Sequence, residues 1–382
     1  MQAPSSSDTV NYGVIGCGMM GQEHLRNLAL VPGARIAALH EPDPAMRAAA
    51  AEIAPQAKVC ATLAELLALT EIDALVIASP NHLHVPQLEQ IADTRPVPLL
   101  VEKPLYTAGS DTARLLAFEA AYPAPVWVAM EYRYMPPIAS FLETAPAATG
   151  GMAMLSIREH RFPFLPKVGN WNRFNRSTGG TLVEKCCHFF DLMRCALQDE
   201  PVRVMASASQ AVNHLDERYD GQTPDILDNA YVIVDFARGA RAMLELCMFA
   251  EGSRFQEELS ATGPAGKIEA FVPGPSRFWP SHLGAPPVPQ VIVSPRQPKG
   301  PQAVEVPVDP TLLEAGDHNG ATFYQHTRFN AVVRGAGAVE VGLRDGWAAV
   351  ALGLAAQESA ATGQAIRLVG APFDSGSARA AE

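Results

Sequence analysis

The chain has 382 residues, 48% of them hydrophobic, which is enough for two domains with sizeable cores. Its formal net charge is −11 and no cluster of lysine or arginine stands out, which argues against nucleic acid or an anionic membrane surface as the main partner. The polar, serine-rich start lacks signal-peptide features, and no apolar run approaches the roughly 18 residues that span a bilayer. With six scattered cysteines that fit no disulfide framework, these features predict a cytoplasmic enzyme.

The first predicted element is an apolar strand that breaks into glycines and leads into a helix over 22–30. Gly16 permits a tight turn, Gly18 lets the backbone approach a pyrophosphate, and Gly21 lets the helix pack against the strand. The free N–H groups at the start of such a helix favour an anion. The pattern therefore predicts a dinucleotide held by Gly16, Gly18, Met19, Met20 and Gly21.

A second predicted strand, residues 34–39, is followed by Glu41, 25 residues after Gly16. A carboxylate at about this distance binds the adenosine ribose hydroxyls and repels a 2′-phosphate. The charge favours NAD, although NADP stays possible because Arg47 could fold back over the ribose. A solvated loop acid is the alternative interpretation of Glu41.

Strands and helices keep alternating up to Met130, as in βαβ units with a parallel sheet. A capping box at Thr62 and Glu65 starts one helix. Ligands bind at the carboxyl ends of parallel strands, so Ser79, Asn81 and His84 are expected to line the cofactor cleft. The predicted strands are 74–79, 98–103 and 125–130, and a further helix is predicted over 111–122.

The strand over 98–103 ends in Glu102, Lys103 and Pro104. A lysine here can place a positive charge beside a reacting hydroxyl, and the proline fixes the turn that aims it. A lysine that is merely solvated at a strand end is the competing interpretation.

After Met130 the pattern changes to consecutive strands with few helical signals, which predicts a mostly antiparallel sheet. Residues 263–266 are expected to turn one hairpin, and 271–310 to form long surface loops or an extended arm. The last helix is predicted over 345–361, before a loose tail from Gly370. The predicted strands are 152–162, 203–212, 229–236, 241–249 and 257–271.

A glycine pair, Gly179 and Gly180, precedes a stretch that contains Glu184, His188 and Asp191. As one helix, this stretch places the three side chains on one face at i, i+4 and i+7. An imidazole flanked by carboxylates is suited to proton transfer near neutral pH, whereas a buried core histidine is the alternative. The neighbouring Cys186 and Cys187 point about 100° apart on a helix, so packing is favoured over metal binding.

The sequence resembles the Gfo/Idh/MocA family of NAD(P)-dependent sugar and polyol oxidoreductases. The resemblance rests on the glycine motif with Glu41, on Ser79-Pro80-Asn81 with His84, on Glu102-Lys103-Pro104, on the Gly-Gly run leading to His188 and Asp191, and on the terminal stretch 358–363. It implies an α/β protein with an N-terminal Rossmann doubly wound parallel sheet and a C-terminal α+β domain with a large, mostly antiparallel open sheet. The expected domains are 1–130 for NAD(P) binding, 131–370 for substrate binding and oligomerisation, and a flexible tail over 371–382.

By the same resemblance, Lys103, Glu184 and His188 form the catalytic group, and Glu102 belongs to the cofactor site. The family run Asp-x-Gly-x-His reads Glu-Lys-Cys-Cys-His over 184–188, so the pocket differs in shape and charge from that of inositol dehydrogenase and the substrate identity stays open. Packing is the alternative role for most of the expected substrate-side residues, which are Tyr132, Arg133, His160, Trp171, Lys185 and Asp191.

The reaction that the resemblance implies is hydride transfer from a carbinol carbon of a sugar, cyclic polyol or glycoside to nicotinamide. His188 is expected to accept the hydroxyl proton, Lys103 to stabilise the alkoxide, and Glu184 to bind an adjacent hydroxyl or orient His188. Two alternatives are a non-catalytic sensor of the same fold and a sugar-modifying enzyme that recycles its bound NAD. A homodimer or homotetramer is expected, since an open apolar sheet face needs cover.

Overall fold

The computed structural model describes residues 9–373, and residues 374–382 of the predicted tail lie outside them. Two sheets organise this part of the chain, one with six strands and one with nine. The predicted fold class, a Rossmann-type parallel sheet followed by a large and mostly antiparallel sheet, is confirmed.

The first sheet is parallel throughout, with the strand order β3-β2-β1-β4-β5-β6. Its strand order reverses between β1 and β4, which is where doubly wound sheets bind ligands. The turn after β1 and the end of β4 therefore face the same crevice. The strands are β1 (Val10–Ile15), β2 (Ala34–His40), β3 (Lys58–Cys60), β4 (Ala74–Ile77), β5 (Leu99–Val101) and β6 (Val126–Val128).

Two of the helices that connect these strands begin at side-chain caps. Asp43 accepts hydrogen bonds from the backbone N–H groups of Ala45 and Met46, and Thr62 accepts one from that of Glu65. The Glu65 carboxylate returns to the N–H of Ala61 rather than that of Thr62, so the predicted capping box is shifted by one residue. The helices are α1 (Met19–Leu28), α2 (Pro44–Ile53), α3 (Leu63–Leu67), α4 (His84–Thr94) and α5 (Thr112–Ala121).

The second sheet has the order β14-β13-β12-β11-β7-β10-β9-β8-β15. Its neighbours are antiparallel except for the central pair β7 and β10. The strands are β7 (Met154–His160), β8 (Pro201–Ser209), β9 (Asn229–Phe236), β10 (Arg241–Cys247), β11 (Glu257–Thr262), β12 (Gly266–Val272), β13 (Gln290–Pro295), β14 (Gln302–Glu305) and β15 (Ile366–Arg367).

Two expectations for this half are wrong. The Pro- and Gly-rich segment 271–310 contains β13 and β14, because β13 pairs with β12 and buries Val291. Of the prolines in this segment only Pro295, the last residue of β13, lies in one of the two strands. Helices are also more frequent than the sequence indicates. They are α6 (Pro136–Thr149), α7 (Asn175–Thr178), α8 (Thr181–Glu184), α9 (Cys187–Leu197), α10 (Pro310–Ala315), α11 (Ala321–Val333) and α12 (Leu343–Thr362).

Helices α6 and α12 cover one face of the second sheet, with α6 on β11 to β13 and α12 on β8. Helix α12 also reaches β6 and α11 packs on α1, so the last helices join the second sheet to the first. Gly346 of α12 allows this contact, since a Cβ there would lie 2.9 Å from Val128. The division of the chain into domains at residue 130 stays a prediction.

Among residues 9–373, no helix combines the length and the apolar character that crossing a bilayer requires.

Candidate active site

A cavity of about 610 Å³ lies between α1, which belongs to the domain of the first sheet, and the part of the chain that forms the second sheet. It is lined by the start of α1, by the turn after β5, and by residues on both sides of the join between α8 and α9. Seven of the predicted site residues line it: Met19, Met20, Lys103, Tyr132, Glu184, Lys185 and His188.

The glycine turn has the geometry that a pyrophosphate requires. Gly16 has φ +83°, and a Cβ there would lie 2.6 Å from the backbone of Ser79. At Gly21 a Cβ would lie 2.1 Å from the carbonyl oxygen of Gly16, so strand and helix can approach only without side chains. A Cβ on Gly18 would meet nothing within 4 Å. This open space beside the start of α1 fits the phosphates of a dinucleotide.

Glu41 lies at the end of β2, next to this turn. Its carboxylate accepts hydrogen bonds from the backbone N–H groups of Cys17 at 2.6 Å and Asp43 at 2.8 Å. The Arg47 guanidinium donates to the carbonyl oxygens of Glu41 and Pro42, so this cation is engaged by the backbone. A carboxylate held here disfavours a 2′-phosphate, in agreement with the choice of NAD over NADP.

Three predicted cofactor residues follow β4 but do not line the cavity. Ser79 donates its hydroxyl hydrogen bond to Gln87, and Asn81 is buried with an Nδ2 that has no hydrogen-bond partner in the described part of the chain. The ring nitrogens of His84 lie 2.9 Å from the carbonyl oxygen of Pro104 and 3.1 Å from that of Ser79. His84 therefore ties the turn after β4 to the turn that carries Lys103.

Lys103 and Glu102 point to different sides of the strand end. Lys103 faces the cavity, and its Nζ donates to the backbone carbonyl of Glu184 at 3.2 Å. Glu102 is buried and lies 2.9 Å from Nε2 of His24, whose Nδ1 lies 2.8 Å from His326. Burial lowers the pKa of Lys103, but nearby acidic groups, including Glu102, raise it above its ordinary value. Lys103 is therefore a fixed positive charge in the cavity.

The stretch that follows Gly179 and Gly180 is not one helix. Helix α8 ends at Glu184 and α9 starts at Cys187, because the N–H of Cys186 bonds back to Thr181, five residues earlier. The expectation that Glu184, His188 and Asp191 share one helix face is therefore wrong. The break still brings Glu184 and His188 to the same cavity.

His188 is almost fully buried at the cavity wall. Its ring stacks on Tyr132, with the centroids 4.1 Å apart and the planes 10° from parallel. Burial lowers the pKa of His188 well below its ordinary value, and the charges of Lys103 and Lys185 lower it further. The imidazole is therefore neutral near pH 7, and its Nδ1 has no partner among residues 9–373. A neutral ring in this position is able to accept a proton.

Glu184 is held by a lysine and not by His188. Its Oε1 lies 3.3 Å from Nζ of Lys167, while Oε2 is buried and has no partner in the described residues. Of the two expected roles for Glu184, this geometry favours binding a hydroxyl of the substrate over orienting the imidazole.

Lys185 is a buried cation beside the cavity. Its Nζ lies 2.5 Å from the hydroxyl of Tyr132 and 2.8 Å from Oε1 of Glu159. The adjacent Cys186 and Cys187 are buried, and burial raises the pKa of both thiols. These two cysteines are neutral packing residues, as expected.

Four predicted substrate residues lie behind the cavity wall or beside it. Arg133 and Asp191 form a buried bidentate pair with distances of 2.6 and 2.5 Å, and removing one partner of such a pair typically costs about 3 to 5 kcal/mol. His160 lies 3.0 Å from Glu245 of β10, and the Trp171 ring lies under Lys167. Within residues 9–373 these four side chains do not line the cavity.

Glu23, Glu131 and His318 form a cluster that no sequence motif indicates. His318 Nδ1 lies 2.8 Å from Glu23, and its Nε2 lies 3.7 Å from Glu131. Thr322 lies within hydrogen-bond distance of both glutamates. The three residues come from distant parts of the chain and form no local motif, so only the folded structure reveals them.

The geometry agrees with two family models. Residues 10–130 match the model described as "Oxidoreductase family, NAD-binding Rossmann fold", and residues 150–368 match the model described as "Oxidoreductase family, C-terminal alpha/beta domain". The chain belongs to the Gfo/Idh/MocA oxidoreductase family. Its cofactor domain is thus an NAD-binding Rossmann fold.

Relatives within the family include named sugar and polyol enzymes. Inositol 2-dehydrogenase 2 of Saccharopolyspora erythraea is 29% identical over 268 residues, which cover 69% of this chain and 74% of the relative. A structure of levoglucosan dehydrogenase with NADH and levoglucosan has a TM-score of 0.75 and 21% identity, and the match covers 94% of this chain and 99% of that chain.

An oxidoreductase from Agrobacterium radiobacter in complex with NAD+, L-tartaric acid and magnesium is equally close in fold. Its TM-score is 0.76 at 20% identity, with 94% of this chain and 98% of that chain covered. At these identities the two solved structures establish the shared fold.

Proposed function

We propose that this Gfo/Idh/MocA protein is an NAD-dependent dehydrogenase that oxidises a CH–OH group of a sugar or cyclic polyol. The observation that carries the proposal is the convergence of His188, Lys103 and Glu184 on the cavity that is also lined by the start of α1, directly after the glycine turn. A neutral base, a fixed cation and a free carboxylate oxygen are the three groups that oxidation of a polyhydroxy compound requires. The inositol and levoglucosan dehydrogenases among its relatives support this substrate class.

Each residue has a defined task in the proposed reaction. His188 accepts the proton of the reacting hydroxyl on its unprotonated ring nitrogen, and the stack on Tyr132 fixes the ring. Lys103 stabilises the negative charge that develops on the oxygen, and Glu184 Oε2 accepts a hydrogen bond from a neighbouring hydroxyl. NAD, when bound, supplies the hydride acceptor.

The test is reduction of NAD, followed by absorbance, across inositols, hexoses, glycosides and sugar acids. Wild-type protein should reduce NAD with one of these classes, and His188→Ala should lower kcat by on the order of 10²-fold or more, since positioned proton transfer contributes that much. NAD should still bind to the variant in a calorimetric titration. His282→Ala, at an exposed histidine, is the matched control.

Retention of turnover within a few-fold in His188→Ala would exclude His188 as the base. Tight NAD binding without reduction by any compound of the panel would contradict the dehydrogenase and favour the sensor or the enzyme that recycles its cofactor.

The protein is also proposed to be a homodimer or homotetramer that assembles through the second sheet. The face opposite α6 and α12 exposes apolar side chains on neighbouring strands, among them Met205, Tyr231 and Ile233. An apolar patch of this kind is typical of an interface between subunits.

A further inference from the structure

The cavity is positively charged although the chain has a net charge of −11. Six lysine or arginine side chains line it, against four carboxylates from Glu23, Glu184, Glu314 and Asp317. A neutral sugar has no need of this excess, because uncharged hydroxyls bind equally well to neutral donors and acceptors. The six cations are Arg26, Lys103, Arg161, Lys167, Lys185 and Arg277.

The two cations near α1, Arg26 and Arg277, already form hydrogen bonds with other groups of the protein. Arg277 forms a bidentate pair with Asp317, with distances of 2.8 and 2.5 Å, and Arg26 donates to the backbone carbonyl of Ala315. This end of the cavity adjoins the glycine turn, where the phosphates of the cofactor fit. The charge excess that matters for the substrate therefore lies at the other end, beside His188.

Arg161 is the cation with the weakest ion pair at that end. It follows β7, and its Nη1 lies 3.7 Å from Glu159 Oε1, beyond hydrogen-bond distance. That oxygen is already 2.8 Å from Lys185. The guanidinium is fixed by the ring of Phe162 at 4.4 Å and by a hydrogen bond from Nε to the carbonyl of the same residue. Its fork is thus oriented, and its ion pair with Glu159 is longer than a hydrogen bond.

Lys167 lies on the same side of the cavity and is shared between two weak contacts. Its Nζ is 3.3 Å from Glu184 and 4.5 Å above the Trp171 ring, and 29% of the side chain is exposed. The largest charge effects on His188 come from four cations, which are Lys103, Lys185, His318 and Arg161. An anion bound here would relieve the repulsion that His188 meets when it accepts a proton.

We infer that the substrate is a sugar acid whose carboxylate binds Arg161, with Lys167 as the second cation, while its reacting hydroxyl faces His188. The inference rests on the proposed dehydrogenase function and specifies its substrate class. The planar guanidinium fork matches a carboxylate in bidentate geometry. A carboxylate fits better than a phosphate monoester. Lys103 is reserved for the alkoxide, so three cations, Arg161, Lys167 and Lys185, face the two carboxylates of Glu159 and Glu184, which leaves about one positive charge for the substrate.

The test compares sugars that differ at C6, where the acid has a carboxylate and the neutral sugar has a hydroxymethyl group. NAD reduction is measured with D-glucuronate and D-glucose, with D-galacturonate and D-galactose, and with D-glucose 6-phosphate. The acid of at least one pair should exceed its neutral sugar in kcat/KM by about 10- to 100-fold, the usual worth of a hydrogen-bonded charge pair. An equal or better neutral sugar in both pairs, or a preference for the phosphate ester, would overturn the inference.

Variants of Arg161 test whether this residue binds the carboxylate of the substrate. Arg161→Gln should lower kcat/KM for the acid about 10- to 100-fold more than for the neutral sugar, and Arg161→Lys should restore part of the difference. Lys299→Gln, at an exposed lysine of the same domain, should leave the ratio of acid to neutral sugar unchanged. Equal losses for both substrates in Arg161→Gln would contradict the assignment, and a melting curve of each variant shows whether it is folded.

A binding measurement separates this inference from the proposed reaction. D-Glucuronate and D-galacturonate are titrated calorimetrically into the protein with bound NADH. Binding of one acid that Arg161→Gln weakens supports the carboxylate site even if no compound reduces NAD, in which case only the dehydrogenase proposal fails. Absence of acid binding alongside reduction of NAD by neutral sugars leaves the dehydrogenase intact and overturns the sugar-acid site.

Discussion

His318 shows how strongly one side chain depends on its neighbours. It lies between Glu23 at 2.8 Å and Glu131 at 3.7 Å, and its ring lies 6.0 Å from that of Tyr132. Burial lowers the pKa of this histidine, but Glu131 and Glu23 together raise it to about 9. The charged imidazole in turn counters burial and holds the pKa of Glu23 at about 2. This cluster joins α1 of the cofactor domain to the segment before α11.

The cluster predicts a pH dependence of stability. The folded-state pKa of His318 lies above its ordinary value of 6.5, so its stabilising contribution is complete below pH 6.5 and disappears as the pH rises through about 9. The variant His318→Asn should therefore be less stable than wild type by on the order of 1 to 3 kcal/mol below pH 6.5, with the difference shrinking toward pH 9. Urea denaturation at several pH values measures this difference in the free energy of unfolding.

His282→Asn is the control for that series, because His282 is exposed. A difference between wild type and His318→Asn that stays constant over this pH range would show that the charge of His318 does not contribute.

At the scale of single residues, the sequence identifies those site residues that belong to short motifs. Lys103 follows a strand and His188 follows a glycine pair, and both face the cavity. Glu23 and His318 escape notice because they lie 295 positions apart and meet only in the fold. Arg133 and Asp191 have the right chemistry for a substrate site but satisfy each other in a buried pair.

Among the secondary-structure elements, β7 and β11 place two glutamates directly opposite each other. Glu159 and Glu257 are partners in this antiparallel pair, and both are buried. Like charges in this position destabilise a sheet. Burial, followed by the charge of Glu159, raises the pKa of Glu257 from 4.5 to about 7. Lys185, from the join between α8 and α9, neutralises Glu159 and makes the arrangement tolerable.

This pair predicts that Glu257→Gln stabilises the protein at alkaline pH. Because the folded-state pKa of Glu257 is raised, ionisation costs stability as the pH rises from 4.5 through about 7, and the cost stays constant above. The variant should exceed wild type by about 1 to 3 kcal/mol above pH 7 and lose this advantage below pH 4.5. Chemical denaturation at both extremes provides the measurement.

Glu258→Gln provides the comparison, since Glu258 is the next residue of β11, points to the other face and pairs with Arg158. If both variants responded alike to pH, the burial of Glu257 would not be the cause.

At the join between α8 and α9 the sequence predicts one continuous helix, whereas the structure has two. The periodicity of this stretch is compatible with one helix through residue 191, and the backbone bond from Cys186 to Thr181 that ends the first helix has no sequence signal. The limits of the other elements that the sequence does predict differ from those of the structure by only a few residues; the strand Asn229–Phe236 is an example of full agreement. Alternating apolar residues mark such strands clearly because one face is buried.

At the scale of the whole molecule, the face of the second sheet opposite α6 and α12 exposes apolar side chains within the described residues. Tyr231 and Ile233 of β9 are 58% and 42% exposed, and Ile233 is paired in register with Met205 and Met243 on the neighbouring strands. These side chains form a continuous apolar surface, which is costly in water unless another subunit covers it.

Substitution of this surface tests the proposed oligomer. Wild-type protein should elute as a dimer or tetramer, and Ile233→Lys should shift it toward the monomer, since a buried charge at an apolar interface is strongly unfavourable. Light scattering coupled to size exclusion gives the mass. Val59→Lys, an exposed valine of the parallel sheet, is the matched control. A monomeric wild type would contradict the proposal.

The sequence by itself determines the two-part fold, the dinucleotide turn, the preference for NAD, and the identity of Lys103 and His188 as candidates. These features depend on local patterns, namely glycine spacing, strand periodicity and short motifs. Only the tertiary structure decides which charges meet. The pairing of Arg133 with Asp191, the position of His318 between two glutamates and the contact of Lys185 with Glu159 all depend on residues far apart in the chain. Burial and distance fix those electrostatic interactions, and no local pattern encodes either.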